Sequence, residues 1–193
     1  MPITVLDDRT ALLVIDLQKG SAARPTAPHP LSQVIDHTIT LADAFRAHHL
    51  PVFLTRFTFS PDGADATPGR TDLGPRSPQP LPEGWDDLID PLAGHLEDII
   101  ITKRNWGSFH GTDLDLHLRR RRITQLVITG IATSLGVEST ARSAHEHGYN
   151  VTIPTDATTD LSPESHHHTT TRILPLIAET GTTKKVLSIL RNR

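Results

Sequence analysis

The chain of 193 residues contains no cysteine. That excludes disulfides, thiolate metal sites and thiol nucleophiles outright, and it leaves the redox compartment open. Aromatic residues make up only 4% of the chain. No apolar run approaches the roughly 20 residues that a membrane-spanning helix needs. Charge of one sign is also lacking: the formal net charge is −3. There is therefore no electrostatic case for nucleic acid or an anionic membrane as partner. The first residues lack the basic and apolar regions of a signal peptide, and a cytoplasmic protein is the expectation. Proline and histidine are what the chain has in quantity, 15 and 12 residues. The length fits one domain, residues 1–193, with a full core.

The organising stretch begins at Gln125. A short apolar run, 126–129, turns through Gly130 and small residues into a helix-like segment, 137–147. A buried strand feeding a sharp turn and a helix N-terminus is where open α/β folds place their chemistry, because the first helical N–H groups point into the crevice. The same stretch also reads simply as one more strand–helix unit of a parallel sheet. Residues 11–15 are another continuous apolar run, suited to a strand covered on both faces, and Asp16 ends it. On position alone Asp16 is either a rim residue facing a ligand or a turn aspartate. An apolar stripe predicts a helix over 31–49, with His48 and His49 answering its C-terminal dipole. Strands follow at 51–55 and 98–101, a helix opens at Thr112, and further strands fall at 150–153 and 178–182. Between them, 57–97 is irregular, with turns at 61–65 and in the Pro-rich 75–82, and is expected to be a lid or an oligomer contact.

Three features invite a site and receive plainer readings. Arg119 to Arg122 end a helix, where cations answer the dipole and face water. His166 to His168 are consecutive; successive helix residues point about 100° apart, so three cannot converge on one ion, and they read as surface histidines. Asp156 ends a strand and reads equally as a loop residue. Lys103 follows the strand at 98–101 and shares its loop with Trp106 and Phe109. A buried lysine stays charged only beside an anion, and Asp16 is the candidate.

Thr129-Gly130-Ile131-Ala132-Thr133-Ser134 followed by Gly136-Val137-Glu138-Ser139-Thr140-Ala141-Arg142 resembles the active-site turn of the isochorismatase-like (cysteine) hydrolases. Ala11-Leu12-Leu13-Val14-Ile15-Asp16-Leu17-Gln18 and Thr102-Lys103-Arg104-Asn105-Trp106-Gly107-Ser108-Phe109, with Gly111-Thr112-Asp113-Leu114, match further motifs in the right order. The resemblance runs from about Ala11 to Leu190. It implies a three-layer αβα, doubly wound α/β fold with a mostly parallel six-stranded sheet of order 3-2-1-4-5-6, the crevice lying between strands one and four. It implies a catalytic set of Asp16 and Lys103, with substrate contacts from Gln18, Trp106, Phe109, Ile131, Ala132 and Leu135, and a non-proline cis peptide at Ile131–Ala132.

Gly136 stands where amide-cleaving members carry the nucleophilic Cys. It leaves that position vacant and is expected to leave room there. Ser134 and Ser139 are nearby hydroxyls, but no motif places a His base beside either. Metal-dependent nicotinamidases carry Asp-x-His after the second strand, where this chain has Arg56-Phe57-Thr58-Phe59, so no metal and no cofactor are expected. Isochorismatases also lack the Cys and commonly have Gly there; they cleave a vinyl ether by general acid catalysis with no covalent intermediate. The resemblance thus implies a Cys-less hydrolase of a small carboxylate-bearing substrate, in a homo-oligomer of two or more chains. The alternative is a catalytically silent paralogue that binds a small ligand or serves as an assembly subunit.

Overall fold

Strand β1 (Thr10–Ile15) is buried at every position, as its unbroken apolar run predicts. It leads through the short α1 (Lys19–Ala22) to α2 (Leu31–Ala47), and then to β2 (Val52–Phe57) and β3 (Ile99–Lys103). Next come α3 (Leu114–Arg120), β4 (Gln125–Ile131), one turn of π-helix (Thr133–Val137) and α4 (Glu138–Glu146). The chain closes with β5 (Asn150–Pro154), β6 (Thr158–Thr159), α5 (Pro163–His168), β7 (Glu179–Gly181) and α6 (Thr183–Arg191). The structure is a computed structural model that describes residues 3–66, 69–72 and 81–193. Apart from Leu81 and Pro82, the turn predicted at 75–82 lies outside the described residues.

The sheet runs β3-β2-β1-β4-β5-β7, with every pairing parallel. This is the expected order, with β7 as the sixth principal strand. The two-residue β6 was not foreseen; it pairs with the end of β4 through Gly130 and Thr158. Helices cover both faces. Leu12, Val14 and Leu54 pack under α2 and α6, whereas Leu13, Ile15, Phe53 and Ile128 pack under α3 and α4. Each such side chain contributes about 1.5–3 kcal/mol on burial. The alternation along β1 sends Ile15 to the α4 side, which matters for the site. Among the described residues no helix is long and apolar enough to cross a membrane.

Local chemistry sets the element ends. α2 stops two residues short of the predicted 49, because His49 adopts a left-handed φ of 55°. Ser162 caps α5 by accepting from Ser165 N, with Pro163 at the first position, as predicted. Thr182 does the same for α6, while the Asp156 carboxylate accepts from Thr183 N at 2.7 Å, so Asp156 serves the fold. Gly130 has φ 108°, and a Cβ there would lie 2.1 Å from the Ile15 carbonyl oxygen; only glycine lets β4 pass β1 this closely. Within 57–97, the stretch around Trp85 to Leu92 is packed down: Lys19 N and Gly20 N donate to Asp87 O and Trp85 O, and Leu92 joins the core.

Candidate active site

Asp16 follows the last residue of β1 with φ 51°, a left-handed conformation that aspartate tolerates better than most residues. Its carboxylate is held from two strands. Thr55 of β2 donates its hydroxyl to Oδ1 at 2.7 Å and accepts from Asp16 N at 3.1 Å. Lys103, at the end of β3, places Nζ 2.7 Å from Oδ2. The lysine side chain is 0% exposed and that of Asp16 13%. Lys103 Nζ also donates to Trp106 O at 2.5 Å and lies 5.8 Å from the centre of the Phe57 ring, its neighbour in the β2–β3 register. The ion pair expected from desolvation is therefore present. Burial pushes the Asp16 carboxyl above its ordinary range; the charge and hydrogen bond of Lys103, and the hydrogen bond from Thr55, pull the other way without cancelling it.

Facing this pair is the turn after β4. The Ile131–Ala132 peptide is cis, as expected. Leu135 N and Val137 N both donate to Ala132 O at 3.1 Å. Ser134 N is taken by the Asp160 carboxylate at 2.6 Å, and Thr133 Oγ1 meets His166 Nδ1 at 2.9 Å. Gly136 is buried and has no free space beside it. A Cβ at Gly136 would stand 2.9 Å from Ile15 Cγ2, 3.3 Å from Ile131 O and 3.4 Å from Trp106 O. The expected room is thus filled by the last residue of β1 and by two carbonyls, one of which also holds Lys103. Among the described residues, no group of three or more His, Cys, Asp or Glu is placed to hold a metal ion.

The model of the Isochorismatase domain matches residues 10–185. The chain belongs to the isochorismatase family. It is 43% identical over 181 residues to the uncharacterized isochorismatase family protein YecD of Escherichia coli, spanning 94% of this chain and 96% of that one. It is 40% identical over 180 residues to YwoC of Bacillus subtilis, another uncharacterized isochorismatase family protein, covering 93% of each. The solved structure of an isochorismatase family protein from Burkholderia thailandensis superposes with a TM-score of 0.92 at 42% identity, covering 97% of this chain and 98% of that one.

Of the residues singled out from sequence, this isochorismatase-family fold gathers Asp16, Lys103, Gly136 and the backbone carbonyls of Ile131 and Trp106 at one rim. Ala132 and Leu135 are half-buried in the facing turn, and the Trp106 side chain is 49% exposed. Two expected substrate contacts are engaged elsewhere. The Phe109 ring stacks on His147 and lies beside Tyr149 in the α3–α4 core, because its loop turns inward before α3. The amide of Gln18 is fully buried; it donates to Phe57 O at 2.9 Å and accepts from Phe57 N at 2.7 Å, so it clamps the end of β2. The triple histidine also needs correcting: His166 is buried, and only His167 and His168 face water. Burial, reinforced by neighbouring His29, lowers the His166 pKa against the pull of Asp160. Sequence reasoning missed Thr55, Ile15, Asp160 and His166. Only Thr55 carried a signal, as a polar residue closing an apolar strand beside the presumed rim.

Proposed function

We propose that this isochorismatase-family hydrolase acts without a covalent nucleophile, by acid-catalysed hydrolysis of a small carboxylate-bearing vinyl ether such as isochorismate. The observation that carries the reading is the buried Asp16–Lys103 pair, in a chain that has no thiol. Burial raises the Asp16 pKa and so favours the protonated form that a general acid needs. Asp16 donates that proton to the terminal vinyl carbon, and the electron pair of the ether oxygen forms the oxocarbenium. Lys103 and Thr55 stabilise the carboxylate left behind. Water adds to the cation, Asp16 takes back a proton, and the hemiketal collapses to pyruvate and an alcohol. General acid catalysis supplies about 10²–10⁴-fold, so positioning in the crevice carries the remainder. The homo-oligomer belongs to the same proposal and is read by light scattering.

One observation favours a second reading, a catalytically silent paralogue that binds a small ligand. Both Asp16 oxygens and Lys103 Nζ already have partners inside the chain, as a purely structural pair would. A single experiment separates the two. Pyruvate release from isochorismate and ammonia release from a panel of small amides are followed for the wild type and Asp16→Asn. Pyruvate release that disappears in the variant supports acid catalysis. Ammonia release rejects it and makes Ser134 the next residue to change. Silence in both assays, with saturable ligand binding that survives in Asp16→Asn, establishes the binder.

A further inference from the structure

The arginines that end α3 gain company from two other parts of the chain. Arg120, Arg121 and Arg122 line one cleft of about 450 Å³ together with Arg9 and Asp8, which precede β1, and His49, which precedes β2. The cleft lies at the N-terminal rim of the sheet, one strand length from Asp16, or about 20 Å for six residues at roughly 3.3 Å each. Two loops of like shape form it. His49 after α2 and Arg122 after α3 both take left-handed φ values, 55° and 56°, and turn the chain back toward the strands on either side of β1. Arg9 is fixed between them, since Thr124 N and Gln125 N both donate to its carbonyl.

The geometry points to a binding site for a phosphate-bearing small molecule in this cleft. Arg121 is engaged by the ring and carbonyl of His117. Arg9, Arg120 and Arg122 form no ion pair among the described residues, whereas Arg46, Arg56, Arg104, Arg119 and Arg142 each have a carboxylate partner. Other exposed arginines among the described residues, Arg172 included, are also without an ion pair, but only in this cleft do several gather. The opposing charge is the Asp8 carboxylate and two helix C-termini of about half a unit each, too little to neutralise four guanidinium groups. A tetrahedral anion with several acceptor oxygens meets guanidinium forks arriving from two chain segments better than a flat carboxylate does. The floor, from Leu50, Pro51 and Ile123, is apolar enough to carry an organic moiety, and the volume is that of a metabolite site. The net charge of −3 for the whole chain makes this a local site and not a field for a long polyanion.

Isothermal titration of the full chain with pyrophosphate, inorganic phosphate and citrate tests the inference. Pyrophosphate is expected to saturate one site per chain and to bind more tightly than phosphate or citrate. Combining Arg120→Gln with Arg122→Gln should weaken it by about a hundredfold, through two lost charge-assisted contacts. Asp8→Asn, which removes the one carboxylate, should tighten it. Arg172→Gln, an exposed arginine elsewhere, should leave it unchanged. Absence of saturable binding, unaltered binding in the double variant, or an equal loss in Arg172→Gln overturns the site. Citrate binding as tight as pyrophosphate overturns the assignment to phosphate.

Discussion

At the C-terminal rim of the sheet, Asp16 and Lys103 stand 2.7 Å apart with side chains 13% and 0% exposed. At the N-terminal rim, Arg9, Arg120 and Arg122 stand exposed around an open cleft. The strands connecting the two ends are the same, so the difference comes from what covers each end. Where the β4 turn and the Lys103 loop close over the strands, each charge must find an opposite partner, because an unpaired buried ion costs several kcal/mol. Where two short loops leave a cleft, water screens like charges and lets them accumulate. The first arrangement suits proton transfer, and the second suits capture of an anion.

The largest expected effect comes from breaking the buried pair. Asp16→Asn leaves Lys103 as a buried cation with only a carbonyl partner and should cost about 3–5 kcal/mol in urea unfolding. Lys103→Met should cost less, because Asp16 is already pushed toward its neutral form and can keep a proton. Adding Lys103→Met to Asp16→Asn should recover much of the loss; a purely additive double variant would show that the pair is not coupled.

Next comes the packed glycine. Gly136→Ala drives a methyl to within 2.9 Å of Ile15 Cγ2 and should destabilise by about 1–3 kcal/mol. In a Gly136→Ala, Ile15→Ala cycle the double variant should cost less than the sum of the singles, and additivity would mean that Ile15 does not fill the position.

A smaller effect, about 1 kcal/mol, is expected for Thr55→Val, which removes a donor to Asp16 Oδ1. Its sharper signature is in pH. With its folded pKa raised, Asp16 contributes stability that is fully present below the unfolded carboxylate range and is lost as pH rises through the raised value. A general acid falls silent over the same interval. The Thr55 hydrogen bond lowers that pKa, so Thr55→Val should move the alkaline fall in pyruvate release to higher pH. A shift to lower pH would remove Thr55 from the acid's environment. The smallest effect belongs to the open rim: Arg120→Ala should change the unfolding free energy by less than about 0.5 kcal/mol.

Much of the fold is legible in the sequence. The unbroken run of 11–15 and the strand–turn–helix at 126–147 produced β1, β4 and α4 within a few residues, because periodicity and turn chemistry are local and act on neighbours in sequence. The pairing of Lys103 with Asp16 followed from burial, since a buried cation needs an anion wherever the chain brings one. Other features depend on register and on which way a loop turns. Thr55 reaches Asp16 across 39 positions only because β1 pairs with β2 in one register. Ile15 fills the space at Gly136 because the alternation along β1 sends it to the α4 face. Phe109 leaves the crevice because its loop turns inward, His166 enters the interior because it lies on the buried face of α5, and Arg9 and Arg122 line one cleft because the chain after α3 turns back beside β1. The sequence by itself determined which stretches become strands and which charges require partners. The side chains that became those partners were decided by the tertiary structure, because contacts between residues far apart in the chain follow from strand order and register, which no single stretch encodes.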